Sequence, residues 1–444
     1  MFILFVMPEM EEGKDYHYFP LGILAIAAAV DKLDFIEYEI YDERVEKKDK
    51  FDNLIMKADI VCISIYTGYQ TSRGYKLVKE CKERNNKVVS ILGGPHATAL
   101  PEQTVQSEYV DYVVSGYAEN SFRDLIINIQ EYGKKSFNIT GLYFKDNENG
   151  EIYSNITAKN YKDLTWNELP YYKVDVNNYI NPETKRIIYV TQYGCPAKCT
   201  FCATPETRKW AEKPVELVTK DLDYLYEKTR FEQLEFFDAT LFTRKKRVKE
   251  IVDHVANAYN GVMWFADARA AELKNYTVKD LMEINNEKLS LNHLTVGMES
   301  GSKRISEDIY KKGRNHLDIF LQTAEKLYKA GIELTSGCIL GAPTETEKDL
   351  EETIRYIHKV RKAHPRFKMS TTFFRPLPGT DLFEYVKEFG IEYPDSLEGW
   401  AKLEGITHYA YNKWQGVPWM DKKTESKYLK MYDILVQEHG DILA

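Results

Sequence analysis

Residues 186–202 read RIIYVTQYGCPAKCTFC. The first part, Ile187–Thr191, is a short apolar run that predicts a buried strand. Four residues beyond it begins a cysteine loop, Cys195, Cys199 and Cys202, spaced C-x3-C-x2-C. The chain has six cysteines. Cys62, Cys81 and Cys338 are isolated, and buried free cysteine is their expected state. Three cysteines within eight positions need a different explanation. Soft thiolates select zinc or an iron–sulfur centre. A structural zinc site takes four ligands, and no fourth Cys or His stands at finger spacing. His254 follows only 52 residues after the third cysteine, inside a helical stretch. A cubane held by three thiolates keeps one iron open for a bound molecule, which suits this loop.

Downstream of the loop, strands are expected at Gln233–Phe237, Met263–Ala266, Leu294–Met298, Glu333–Leu340 and Lys368–Phe374. Helices fit between them, as at Lys245–Asn257, Asp318–Ala330 and Thr346–Lys362. With Ile187–Thr191 this makes six strand–helix units, two short of a complete eight-fold barrel. Upstream, residues 2–7 (FILFVM), Ile36–Tyr41, Ile60–Tyr66, Lys87–Leu92 and Tyr112–Val114 read as strands. Helices at Leu21–Leu33, Phe51–Lys57, Ser72–Asn85 and Ser121–Tyr132 alternate with them. That alternation predicts a doubly wound parallel sheet, with ligands beyond the carboxyl ends of its strands. The domains expected are therefore 1–137, a linker with a hairpin at 138–185 turning on Asn149-Gly150, a partial barrel at 186–385 and a carboxyl-terminal part at 386–444. Trp400, Trp414 and Trp419 lie in that last part, which is expected to close the open side of the barrel. Aromatic residues there pack a core or line a pocket, and a core is the reading favoured.

Composition narrows the function. The 444 residues carry 60 Lys and Arg against 68 Asp and Glu, a net charge of −8. A non-specific nucleic-acid binder, which depends on many cation–phosphate contacts, is not expected. Apolar residues at 43% support a packed core. The apolar run Leu21–Val30 is too short for the roughly 18 residues of a membrane span. No basic segment precedes the first strand, so a secretory signal is not expected and a cytoplasmic location is. Nor is there G-x-G-x-x-G after the first strand, or G-x-x-x-x-G-K-[ST] in the amino-terminal unit, which removes the phosphate-cradle readings.

The cysteine loop, with Phe201 directly before its third cysteine, resembles the signature of radical S-adenosylmethionine (SAM) enzymes. The resemblance implies that Cys195, Cys199 and Cys202 hold a [4Fe–4S] cluster whose fourth iron chelates SAM. It also implies reductive cleavage of SAM to a 5′-deoxyadenosyl radical, fed by an external electron donor such as flavodoxin or ferredoxin. Asp238, in Phe236-Phe237-Asp238, stands where the family usually has a Gly-Gly-Glu-like motif for the SAM amino group. Arg269 resembles the basic residue facing the SAM carboxylate. Gly297-Met298-Glu299-Ser300 looks like the family's G-x-E-S, which places Glu299 and Ser300 near SAM. Gly341 opens Gly341-Ala342-Pro343-Thr344-Glu345-Thr346, similar to a motif flanking the adenosine, and Pro376-Leu377-Pro378-Gly379-Thr380 follows the sixth strand in the same style.

The amino-terminal unit resembles the cobalamin-binding domain that precedes the barrel in one subclass of that family. Phe19-Pro20-Leu21-Gly22, Gly93-Gly94-Pro95-His96-Ala97-Thr98 and Gly116-Tyr117-Ala118-Glu119 match its segments. The cofactor sites implied are Thr67, Gly68, Tyr69, Gly93, Gly94, His96, Thr98, Gly116 and Glu119. Glycines at strand ends let a backbone approach a bulky ligand, and Ser64 or Thr98 offers a hydrogen bond to its tail. The loop 66–70, through Tyr66, Thr67 or Tyr69, is expected beneath the corrin. Asp15-Tyr16-His17 gives D-x-H, but Pro20 replaces a motif glycine, so His17 is read as a loop residue. His96 either caps its helix or touches the corrin tail. Together these resemblances imply a cobalamin-dependent radical SAM methyltransferase acting on an unactivated sp3 carbon of a small molecule or natural-product intermediate. The alternatives are a cyclase or rearrangement enzyme with the same cofactors, and a non-catalytic cobalamin-binding protein.

Overall fold

The computed structural model describes residues 1–10, 18–133, 138–146, 149–155, 165–203, 210–285, 289–403 and 417–439. The chain forms two compact units. The first comprises Met1–Tyr179 with Glu392–Ala410, the second Ile180–Ile391 with Tyr411–Ala444.

The first unit is built on seven strands, β1 (Phe2–Met7), β2 (Glu37–Asp42), β3 (Ile60–Ser64), β4 (Val89–Gly93), β5 (Tyr112–Val114), β6 (Leu142–Lys145) and β7 (Ile152–Ser154), in the order β2-β1-β3-β4-β5-β6-β7. The first five are parallel. Five consecutive residues of β1 are buried, which is why its sequence is apolar without alternation. The strand order reverses between β1 and β3, and a crevice at the carboxyl ends beside such a reversal is where doubly wound sheets bind ligands.

Two features differ from the sequence reading. The hairpin in 138–185 is part of this sheet: Val114 pairs with Leu142, and β6 and β7 continue antiparallel. It covers the hydrogen-bonding edge that β5 would otherwise expose. Tyr171 and Tyr179 pack against Phe19 at 5.1 and 4.9 Å, and the Tyr179 hydroxyl donates to Asp42 at 3.1 Å. Residues 392–401 also return to the first unit, where Leu397 joins the core with Leu77, Val78 and Val105. Trp400 is 2% exposed there. Trp414 and His17 lie outside the described residues.

The second unit holds β8 (Arg186–Tyr189), a short antiparallel pair β9 (Gln192–Tyr193) and β10 (Ala211–Glu212), then β11 (Gln233–Phe236), β12 (Met263–Ala268), β13 (Ser290–Val296), β14 (Glu333–Leu340) and β15 (Lys368–Phe373). The six strands are parallel and neighbour one another in chain order, β8-β11-β12-β13-β14-β15, and among the described residues β8 and β15, at the two ends, do not pair with each other. This is an open barrel of six strands. Burial alternates along β8 and β11. Tyr189, on the outer side, donates from its hydroxyl to Asp221 of the covering helix at 2.8 Å. The inner side is polar: Arg186 meets Gln233 and Glu235, and stacks over Phe265 at 4.4 Å. No helix among the described residues is long and apolar enough to cross a membrane.

Candidate active site at the carboxyl ends of the barrel strands

The cysteine loop leaves β8 at the carboxyl end of the barrel, the face on which such barrels carry their chemistry. All three thiols are free, with Cys195 buried and Cys199 and Cys202 partly exposed. The loop is clamped at its base. β9 and β10 pair across it. The buried Arg247 guanidinium donates to the Thr191 hydroxyl (3.0 Å), the Thr191 carbonyl (2.9 Å) and the Lys213 carbonyl (2.8 Å), tying entry to exit. Asp238, 1% exposed, accepts the Thr191 N–H at 2.8 Å. Its second oxygen is buried without a hydrogen-bond partner. Burial pushes this carboxyl up to about 7, against the pull of the Thr191 N–H and of Arg247.

The tip of the loop is held from another side. A π-turn at Ile305–Ile309 presents two carbonyls to Thr200: Tyr310 accepts its N–H at 3.2 Å, and Ile309 accepts its hydroxyl. Phe201 packs edge-on against Tyr310 at 4.9 Å. Its place before the third cysteine is therefore explained by packing that fixes the loop.

Two cations attend the thiols. Burial pushes the Cys199 thiol up, while Lys312 and Arg269 pull it down; burial raises Cys195 as well, again opposed by Arg269. Lys312 is buried and bonds Glu299 at 2.9 Å. Glu299 adopts a left-handed backbone, φ 62°, a strained conformation for a residue with a side chain. A lone bridge to Cys338 and two backbone hydrogen bonds to β14 hold it there. Its carboxylate lies across Gly297, where a Cβ would stand 2.2 Å from Oε1. The glycine in this motif makes room for the Glu299–Lys312 pair.

Other expected residues have structural partners. Ser300 is buried and faces Thr353 at 3.3 Å. The Gly341 N–H is taken by Glu345 at 2.7 Å, and the Gly341 carbonyl accepts Trp419 Nε1 at 3.2 Å. Sequence reasoning overlooked Lys312 and Arg247. Among 60 basic residues neither stands out, and Arg247, in the run Arg244–Arg247, reads like a solvated helix start.

The residues fit an iron–sulfur cluster. They supply three soft donors on one braced loop, with cations to offset thiolate charge. Among the described residues no three His, Cys, Asp or Glu groups converge on a single metal ion. His254, the distant alternative ligand, is engaged with Asp223 at 2.9 Å.

In the first unit the loop after β3 lies beside the strand-order reversal. Gln70 ties it to the end of β1, donating to the Pro8 carbonyl at 2.8 Å and accepting the Tyr66 N–H at 2.9 Å. Gly68 has φ 113°, and Tyr66 is 42% exposed. A Cβ at Gly94 would lie 2.6–2.8 Å from Ser64 and Ile65, so this glycine admits the neighbouring strand end. Thr98 takes the Gly116 N–H at 2.9 Å, joining two of the expected segments, and Glu119 is buried. His96 is fully buried and bonds Thr67 at 3.0 Å. The Tyr66–Gly68 loop is thus braced from behind by Gln70 and His96.

Comparison with known proteins gives the same two parts. A radical SAM superfamily model matches residues 189–357, and a B12-binding domain model matches residues 15–126. An uncharacterized methyltransferase of Pyrococcus horikoshii is 28% identical over 82% of this chain and 78% of its own length. Bacteriochlorophyllide d C-12(1)-methyltransferase of Chlorobaculum tepidum is 25% identical over 83% of this chain and 74% of its own. The structure of the radical SAM methyltransferase TsrM from Kitasatospora setae, with cobalamin and a [4Fe–4S] cluster bound, shares the fold. Its TM-score is 0.70 at 13% identity, over 88% of this chain and 78% of that one. The braced thiols, the doubly wound sheet ahead of them in sequence and these matches agree: the chain joins a radical SAM domain to a B12-binding domain and is similar over most of its length to methyltransferases.

Proposed function

We propose that the protein transfers a methyl group to an unactivated sp3 carbon of a small molecule. The observation that carries this reading is the presence, on one chain, of a three-cysteine loop at the barrel's carboxyl end and a B12-binding domain. When bound, the reduced cluster with SAM supplies a 5′-deoxyadenosyl radical that removes hydrogen from carbon, and methylcobalamin supplies the methyl group. The protein's share is placement. Cys195, Cys199 and Cys202 ligate, while Arg247 and Asp238 keep their loop in one shape. Arg269 and the Lys312–Glu299 pair are assigned to the amino-acid end of SAM, an assignment supported by their charge beside the thiols. The inner face, with Arg186, Glu235, Asp267 and His293, is a polar surface for a small substrate.

A single-turnover experiment tests methyl transfer without knowledge of the substrate. Protein carrying hydroxocobalamin is reduced with titanium(III) citrate and given SAM. The reading predicts about one S-adenosylhomocysteine per bound cobalt and the absorption of methylcobalamin. Consumption of SAM only to 5′-deoxyadenosine would refute methyl transfer and favour a rearrangement enzyme.

A further inference from the structure

His96 lies in a motif implied to contact the corrin, yet it is fully buried. One ring nitrogen, Nδ1, bonds the Thr67 hydroxyl at 3.0 Å, and Nε2 has no hydrogen-bond partner. The ring meets the indole of Trp400 edge-on at 5.5 Å. Trp400 is in turn fixed on two sides. Its Nε1 donates to Gln103 at 3.0 Å, and Tyr393 stacks on it at 5.9 Å with an interplanar angle of 11°. Nearby, Ser107 donates to Glu398 at 2.5 Å and Leu397 enters the core of the first unit. A chain of contacts therefore runs from residues 393–400, through His96, to the hydroxyl of Thr67. It ends in the loop beside the strand-order reversal.

We propose that His96 and Trp400 are positioning residues for cobalamin: they form a buttress that holds the Thr67 loop in the shape against which the corrin seats. The carboxyl-terminal segment 392–401 is, on this account, part of the cobalamin site's support. His96 acts through Thr67 and does not touch the ligand. Burial lowers its pKa to about 4, so the imidazole stays neutral at working pH. A neutral ring shares one proton with the Thr67 hydroxyl and adds no charge beside the corrin. The proposal rests on cobalamin being the ligand of this unit.

The test measures hydroxocobalamin binding to full-length protein with its cluster reconstituted, together with the electron paramagnetic resonance spectrum of the bound cob(II)alamin. His96→Leu and Thr67→Val each remove the hydrogen bond, and each is expected to weaken binding about tenfold and broaden the spectrum. Combining them is expected to add nothing further, because both cut the same link. His96→Asn, which restores a polar atom near Nδ1, is expected to recover binding to within about twofold. Trp400→Phe keeps a ring against His96 and is expected to bind normally, whereas Trp400→Leu is expected to behave like His96→Leu. Iron content is to stay at the wild-type level throughout, which shows that the barrel and its cluster are intact. Wild-type binding in Thr67→Val, which alters only a loop hydroxyl, would overturn the proposal even if the core variants failed to fold. Losses that multiply in the double variant would overturn it as well. Absence of binding by the wild type itself would instead remove the cobalamin reading beneath it.

Discussion

Replacing Gly297 with alanine separates the roles of the Glu299–Lys312 pair and the barrel that carries it. The backbone at Gly297 is not left-handed, so alanine meets no conformational penalty there. Its Cβ would lie 2.2 Å from Glu299 Oε1, 3.3 Å from Glu299 Cδ and 3.0 Å from Lys312 Nζ. The carboxylate must retreat by roughly 1 Å to restore ordinary contact, which opens the ion pair. That pair is nearly enclosed, with side chains 6% and 15% exposed. Breaking such a pair outright costs about 3–5 kcal/mol, and a flexible carboxylate relieves part of this. That cost falls on stability; a charge-assisted contact to SAM lost with the displaced carboxylate is worth about 2 kcal/mol, or roughly 30-fold in SAM affinity. Gly337 supplies the control, since a Cβ there would meet Glu299 Oε2 at an ordinary 3.8 Å. SAM binding and 5′-deoxyadenosine formation, measured on reconstituted protein, should fall in Gly297→Ala and hold in Gly337→Ala, with equal iron in both. Equal SAM affinity in Gly297→Ala and wild type would exclude a role of the Glu299–Lys312 pair in SAM binding, as would an equal loss in both variants.

Three further outcomes follow from the geometry. Arg247→Met removes three hydrogen bonds across the base of the cysteine loop; iron bound after reconstitution should drop below about half, with Arg247→Lys intermediate. Each of Cys195→Ala, Cys199→Ala and Cys202→Ala should abolish stable cluster binding and SAM cleavage while leaving hydroxocobalamin binding intact, as read by iron and cobalt analysis. Burial pushes Glu345 up to about 7 from 4.5, so the folded state holds a proton that the unfolded state releases between those values. Its contribution is most favourable below about 4.5 and declines by about 3 kcal/mol as pH rises through 7. Urea denaturation of apoprotein from pH 5 to 8 should show wild type losing stability relative to Glu345→Gln, and parallel profiles would exclude this role.

Much of the architecture was legible because its signals are local. Strand Phe2–Met7 is an unbroken apolar run closed by Pro8, and the parallel sheet buries it as expected. The six barrel strands end where breakers or charges stand, and the three cysteines crowd into one loop. Boundaries drifted where side chains complete the backbone's hydrogen bonds. The helix expected from Ser72 starts at Tyr69, because Gln70 and Thr71 satisfy the Tyr66 N–H and carbonyl. What could not be read depends on distant partners. Lys312 matters because a glycine at 297 and a left-handed Glu299 fold a carboxylate onto it. Trp400 suits a barrel lid as well as a core; only its contacts with Gln103 and His96 place it in the first unit. His96 likewise resembles a ligand contact until Thr67 is found bonded to it.

One chain is expected to bind both cofactors and to cleave SAM. The most direct test is metal analysis of protein prepared anaerobically with iron, sulfide and hydroxocobalamin, followed by an assay of SAM with a strong reductant. About four iron and about one cobalt per chain are expected, with 5′-deoxyadenosine formed. Cobalt absent from protein with a full cluster, or a full cluster that leaves SAM intact, would contradict this expectation.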